Sequence, residues 1–318
     1  MMAALAWTAA AQDCFSVKGG DGPGKGKKIV LLAGDEEYRS EEAMPALAKI
    51  LSRHGFDCTV CFSVDPKDGT INPNQGDSLT NPEALDSADA IVMLLRYRHW
   101  PDAAMKHFDD AIKRGVPVVA MRTSTHAFQI KDGPFKCYDR FGEMVLGEEW
   151  VNHWGGHKKE ATRGIIAPGM ERLPIMRGVA EIFVSTDVYE AYPPADATIL
   201  VRGQVLRSMD CNAPPAEYKK RRTTDKVEQD INNPMMPVAW TRVNKNAGGK
   251  ENKIFCTTMG AASDLPNEGL RRLIVNAVFW GLGMDVPEKA DIAMDGDFKP
   301  TFYGFNGYIK GVKPGDVR

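Results

Sequence analysis

Through the first 120 residues, short apolar runs alternate with stretches of helical spacing. Residues 28–33 carry a continuous apolar run, the pattern of a strand covered on both faces. Over 41–54, Ala43, Leu47, Ile50 and Leu51 recur at helical spacing, and 57–63 returns to a strand pattern. Residues 89–95 and 117–121 are two further buried-strand runs. Between them Pro101 opens a helix that reaches about Lys113 and ends at Gly115. This alternation predicts an α/β fold, a doubly wound and mostly parallel sheet.

From about residue 158 the pattern turns to strands at 160–167, 182–189, 198–206, 237–243 and 253–258, which read as extra antiparallel strands extending or edging that sheet. Residues 207–236 are polar and read as a solvated excursion or as a lid over a site. Residues 265–282 form the strongest helix of the second half, with Leu270, Leu273, Ile274, Ala277, Val278 and Trp280 along one side. One domain over 28–287 results, followed by a tail at 288–318, rich in Gly, Pro and aromatic residues, that drapes over the core.

Residues 1–27 read as a signal-like segment and flexible linker. The segment 1–12 is an apolar run ending in an A-x-A-like site, so cleavage after Ala11 and export to a bacterial periplasm or cell surface are expected. No run approaches the roughly 20 apolar residues of a membrane span. With 43% apolar residues and a formal charge of −2, the chain can bury a sizeable core and gives no reason to expect nucleic acid. A small-molecule ligand fits better, and a homodimer is compatible with the sequence. Cys58 and Cys61 share C-x-x-C spacing, but on a strand their sulfurs point to opposite faces, which argues against a redox or zinc pair.

Ligands of open α/β sheets bind beyond the carboxyl ends of the strands. Polar residues gather at those ends here: Glu36 and Glu37 after the first strand, Arg96 and Arg98 after the third, Arg122, Thr123, Ser124 and His126 after the fourth. The hydroxyls serve equally as helix caps or as ligand contacts. His153 and His157 flank Trp154-Gly155-Gly156, whose glycines disfavour a helix. Without a third ligand at recognisable spacing, and with arginines nearby, no stoichiometric metal is expected; sugar binding or proton transfer suits the two imidazoles better. Asp187 sits in a strand-like segment, facing solvent or pairing with a pocket arginine. Trp240 could stack on a sugar ring or simply fill the core. Asp264 either caps the helix that follows or stands beside amides that hold an oxygen-rich ligand. His54 and His107, on amphipathic helices, should lie at the surface or its boundary. No dinucleotide fingerprint and no P-loop is present, so no cofactor is expected.

Five segments carry a resemblance: 35–42, 121–128 (Met-Arg-Thr-Ser-Thr-His-Ala-Phe), 147–153, 233–241 and 257–261. Together they resemble the ThuA-like (trehalose utilisation) branch of the class I glutamine-amidotransferase-like superfamily, over about residues 28–285. The resemblance implies a flavodoxin-like sheet and a role in using trehalose or related, including oxidised, glycosides. It also places Thr123 where amidotransferases carry the elbow cysteine and His126 at the histidine three residues on. A cysteine-dependent glutaminase is therefore not expected. The commoner ThuA pattern has a histidine near the elbow and a Gly-His after the late strand, whereas this chain has Thr123 and Gly260-Ala261. An enzyme using His126, Glu37 and His153 for proton transfer is the resulting expectation, with Glu36, Arg96, Arg98, Arg122, Thr123, Ser124, His157, Trp240 and Asp264 around the substrate. The rival is a noncatalytic sugar-binding or scaffold module.

Overall fold

The computed structural model describes residues 14–296 and 298–317. The signal-like run of residues 1–11 lies outside the described residues. Ten strands form one hydrogen-bonded sheet in the order β1-β3-β2-β4-β5-β14-β13-β10-β7-β8. The parallel half comprises β2 (Lys28–Gly34), β3 (Asp57–Phe62), β4 (Ala90–Leu95), β5 (Val118–Met121) and β14 (Glu251–Thr257). β1 (Phe15–Val17) edges it antiparallel to β3. From β14 the sense changes, and β13 (Met236–Lys245), β10 (Thr198–Val205), β7 (Thr162–Ile166) and β8 (Ile182–Val184) continue the sheet antiparallel.

Strand β4 is buried at all six positions because both faces of the sheet are covered. Helices α1 (Ser40–Arg53) and α3 (Glu268–Gly281) cover one face, where Leu47, Leu51, Leu273 and Phe279 share a core with Leu31 and Val92. Helix α2 (Asp102–Lys113) covers the other, packing Met105 and Phe108 against Met93 and Trp240. Cys58 and Cys61 fall in these two different cores, as alternation along a strand requires.

Several expectations need correction. The predicted strand at 182–189 breaks into β8 and the two-residue β9 (Tyr189–Glu190), and Asp187 lies in the turn between them. The elbow hydroxyls cap no α-helix; residues Arg122–His126 form a 3-10 turn because the Ser124 hydroxyl donates to the Met93 carbonyl and accepts from the Leu95 N–H, which pins the turn to β4. His54 is buried, its Nε2 2.7 Å from the Asp291 carbonyl and its ring on Phe279, because the tail covers that end of α1. The polar segment 207–236 contains a hairpin, β11 (Lys219–Arg221) with β12 (Glu228–Asp230). In the tail, Tyr303 is buried against Tyr38 with ring centroids 5.1 Å apart, and the Gly304 carbonyl accepts from Arg39 at 2.8 Å. Among the described residues no helix is long and apolar enough to cross a membrane.

Candidate functional site

Three turns at the carboxyl ends of β2, β4 and β5 each hold a non-glycine residue in the left-handed region: Arg39 at φ 57°, Tyr97 at 51° and Arg122 at 43°. Such conformations persist only where the surroundings over-determine them. The strained residue of the β5 elbow is Arg122 itself, one position before Thr123.

Asp35 organises the first turn. It is fully buried; Oδ1 accepts from the N–H groups of Glu37 (2.7 Å) and Tyr38 (2.6 Å), and Oδ2 accepts the Thr123 hydroxyl. Burial, with the neighbouring Glu36 charge, pushes its carboxyl above the ordinary range, although these hydrogen bonds oppose that. Thr123 is thereby spent on the turn. The next two carboxylates then meet different partners. Glu36 is clamped between Arg96 and Arg98, the latter at 2.8 Å. Arg98 is buried and also donates to the Pro73 carbonyl at 2.9 Å, whereas Arg96 remains at the rim under the ring of Phe305, 5.1 Å from its centroid.

Glu37 reaches the other cluster. Its Oε1 lies 3.0 Å from His157 Nε2, and His157 Nδ1 lies 3.1 Å from Asp187 Oδ1. His153 Nδ1 lies 2.7 Å from Asp187 Oδ2. Asp187 is fully buried, and its Oδ1 also accepts from Arg122 Nη2 at 2.8 Å. Both terminal nitrogens of Arg122 are engaged in turn: Nη1 donates to the carbonyls of Asp187 and Thr258, both at 2.7 Å, and Nη2 to the Tyr38 hydroxyl at 3.1 Å. Its guanidinium lies 3.8 Å from the Tyr189 ring centroid and 4.6 Å from that of Tyr38, so the buried cation is sandwiched.

The electrostatics follow from these contacts. The hydrogen bonds to Asp187 and then Glu37 raise the His157 pKa to about 9, so His157 is an imidazolium at neutral pH. Burial alone would raise both carboxylates, yet His157 holds Glu37 below its ordinary value, and Arg122 with the two histidines holds Asp187 well below. Asp187 fixes the Nδ1 edge of His153 and leaves Nε2 without a partner among the described residues, on a ring that is 31% exposed. Tyr189 and Trp150 wall that ring at 5.4 and 5.8 Å between centroids. His126 is wedged between Tyr97 and Trp150 at 4.9 and 5.2 Å; burial and the nearby arginines push its pKa well below the ordinary value, which keeps it neutral.

Of the sequence-predicted residues, the structure therefore brings together Glu37, His153 and His157, with His126 and Arg96 beside them. Arg98, Arg122, Thr123 and Ser124 are buried and committed to protein partners. Trp240 is core: it is fully buried and its Nε1 donates to the Leu146 carbonyl at 2.9 Å. Asp264 does not cap α3, a role taken by Asn267, which accepts from the Leu270 N–H at 2.9 Å. Asp264 Oδ2 instead accepts the N–H groups of Gly260 and Ala261 and the Thr186 hydroxyl, so these two amides are already satisfied. Sequence reasoning left Asp187 without a role. Its signal was present, a carboxylate inside an apolar strand pattern, and of the two options it pairs with the pocket arginine. A cavity of about 450 Å³ lies elsewhere, between α1 and the tail, with Pro45, Ala46, Ile71 and Val312 in its lining.

No curated protein matches the chain significantly. A ThuA-like protein from Parabacteroides merdae superposes with TM-score 0.51 at 12% identity, covering 82% of this chain and 92% of that one. A second, from Bacteroides uniformis, gives TM-score 0.50 at 14% identity, covering 84% and 95%. A glutamine amidotransferase from Thermotoga maritima gives 0.41 at 10%, covering 80% and 98%. The first two likenesses concern the fold. Residues 28–281, from the first strand of the parallel half to the end of α3, match the family described as ThuA, trehalose utilisation, and the chain belongs to that family.

Proposed function

We propose that the chain is an acid/base enzyme acting on a sugar or an oxidised glycoside, with His153 as the group that moves the proton. The observation that carries this reading is the His153–Asp187 pair. A buried carboxylate fixes one edge of a solvent-facing imidazole and stabilises the imidazolium formed when Nε2 accepts a proton, whether from a hydroxyl, a water or a carbon beside a carbonyl. His157, held between Asp187 and Glu37, supplies a fixed positive charge next to that centre for an oxygen that gains negative charge. Arg96 lies against the ring of Phe305, 53% of which is exposed, and the two offer a guanidinium and a ring face to hydroxyls and C–H groups. A glutaminase is not supported: the elbow residue is Arg122, Thr123 donates its hydroxyl to Asp35, and Cys58, Cys61 and Cys256 are buried within the sheet.

The test is turnover, followed by mass spectrometry, of trehalose, glucosides and their 3-keto forms by the wild type and by His153→Ala. The reading expects at least one product, with loss of about 10²–10⁴-fold in kcat for the variant. Saturable binding without product by the wild type would support the noncatalytic sugar-binding module instead. Undiminished turnover in His153→Ala would remove His153 from the chemistry.

A further inference from the structure

The spacing of His153 and His157 supplies only two candidate ligands, but the fold adds a third. One ligand atom from each of His153, His157 and Asp187 lies within 4.8 Å of the others, the only such grouping among the described residues. We propose that these three side chains form a binding site for a borderline transition-metal dication, with Zn²⁺ as the reference ion.

Four features of the geometry support it. First, donor atoms about 2.0–2.2 Å from a tetrahedral zinc lie about 3.3 Å from one another. Nδ1 of His153 is 2.7 Å from Asp187 Oδ2 and Nδ1 of His157 is 3.1 Å from Asp187 Oδ1, and one donor from each residue lies within 4.8 Å of the others, so side-chain rotations bring the three to that spacing without moving the backbone. An ion there would take the place of two protons. Second, the far edge of His157 meets Glu37 at 3.0 Å, which is the carboxylate–histidine arrangement that orients metal-ligating imidazoles. Third, the donors are held from behind. Arg122 fixes Asp187, the pairing of β6 (Asn152–His153) with β9 fixes the His153 backbone, and Lys220 Nζ grips the carbonyls of His153 and Trp154 at 2.8 and 2.9 Å. Fourth, the two rings are 31% and 28% exposed, which gives an ion an entry path and leaves a coordination position open to solvent.

Charge decides which ion suits the site. The Arg122 guanidinium compensates Asp187, so Glu37 is the carboxylate left to offset a dication. Two imidazoles and one carboxylate favour zinc, cobalt or nickel over magnesium or calcium, which prefer all-oxygen sites. The proposal shares side chains with the acid/base reading but does not depend on turnover. An ion bound there would change His153 from a proton acceptor into part of a Lewis-acid centre.

The test is calorimetric titration of ZnCl₂ into the full chain after dialysis against EDTA, with circular dichroism to confirm that each variant is folded. The site predicts about one equivalent bound with Kd on the order of micromolar or tighter. His153→Ala with His157→Ala should weaken binding at least about 100-fold, and Glu37→Gln about 10-fold through the orienting contact. Zinc should also raise the wild-type Tm, but not that of the double variant. Three results would each overturn the proposal: no binding up to about 100 µM zinc, binding undiminished in the double variant and hence located elsewhere, or magnesium binding as tightly as zinc. None of these outcomes bears on whether metal-free protein turns over a sugar.

Discussion

Asp187→Asn is the sharpest perturbation of the site, because it keeps the shape of the side chain while removing its charge and one of its two acceptor oxygens. Arg122 and Asp187 are both fully buried and 2.8 Å apart, and no other carboxylate among the described residues lies within salt-bridge distance of Arg122. Removing one member of a buried pair leaves an uncompensated charge and costs about 3–5 kcal/mol. Asparagine retains one acceptor oxygen and Arg122 keeps its two carbonyl acceptors, which places the loss near the lower bound, about 3 kcal/mol. For a chain of this size that lowers Tm by roughly 4–6 °C. The assay is equilibrium urea unfolding in EDTA at neutral pH, repeated in an Arg122→Met background. There Asp187→Asn should cost clearly less than in the wild type, since the buried charge is already gone and only the part-exposed His157 imidazolium is left to lose its partner. A loss below about 1 kcal/mol in the wild-type background, or an equal loss in both backgrounds, would refute the claim that the ion pair carries this part of the structure.

Glu41 lines the cavity between α1 and the tail, and burial raises its carboxyl from 4.5 to about 7 even though Arg39 opposes the shift. A raised native pKa means that the folded state holds the proton more tightly, so this stability is present below the unfolded value and lost as pH climbs to about 7; at about 1.4 kcal/mol per tenfold, Glu41→Gln should match the wild type near about pH 4.5 and exceed it by up to about 3 kcal/mol above about pH 7, read from urea midpoints. Equal midpoints at both pH values would contradict the burial argument. A Cβ on Gly142 would sit 1.9 Å from the Thr125 carbonyl and 2.7 Å from that of Glu148, both main chain. Gly142→Ala should therefore push on the elbow and cost at least about 3 kcal/mol, seen as low soluble yield and a lowered Tm. Asn267→Ala should cost about 1 kcal/mol as a lost helix cap, and Asp264→Ala clearly more, because it frees two buried amides and the Thr186 hydroxyl. Reversed magnitudes in thermal unfolding would contradict this division of roles.

The parallel half was legible because burial on both faces leaves unbroken apolar runs, as in 90–95, and because α1 and α2 cover one face each and so keep a one-sided stripe. The short 3-10 turn at the elbow was not legible. What replaces a helix there is a set of long-range hydrogen bonds, Ser124 to Met93 and Thr123 to Asp35, which no local pattern encodes. The same holds for the site. Residues at strand ends were identifiable from the fold rule, but which of them face a ligand depended on partners far away in sequence. Arg122 and Arg98 read as binding residues and are instead consumed by the carbonyls of Thr258 and Pro73. Asp187, 34 residues from His153, could be joined to it only by the antiparallel strands that bring its turn to the sheet edge.

The change of sense at β14 also fixes an order of assembly during synthesis. Strand β14 follows β13 in the chain and pairs with it, yet it also lies parallel to β5, more than 130 residues earlier. As the polypeptide emerges, β5 keeps a bare, fully apolar edge until residue 257 has been made, and Arg122 lacks the Thr258 carbonyl for the same interval. Closure across so long a loop is slow relative to local pairing, and an open edge of this kind is what chaperones cover. The nascent chain is thus held away from its native form until β14 has been made, and the ionic site at the strand ends waits for the same step.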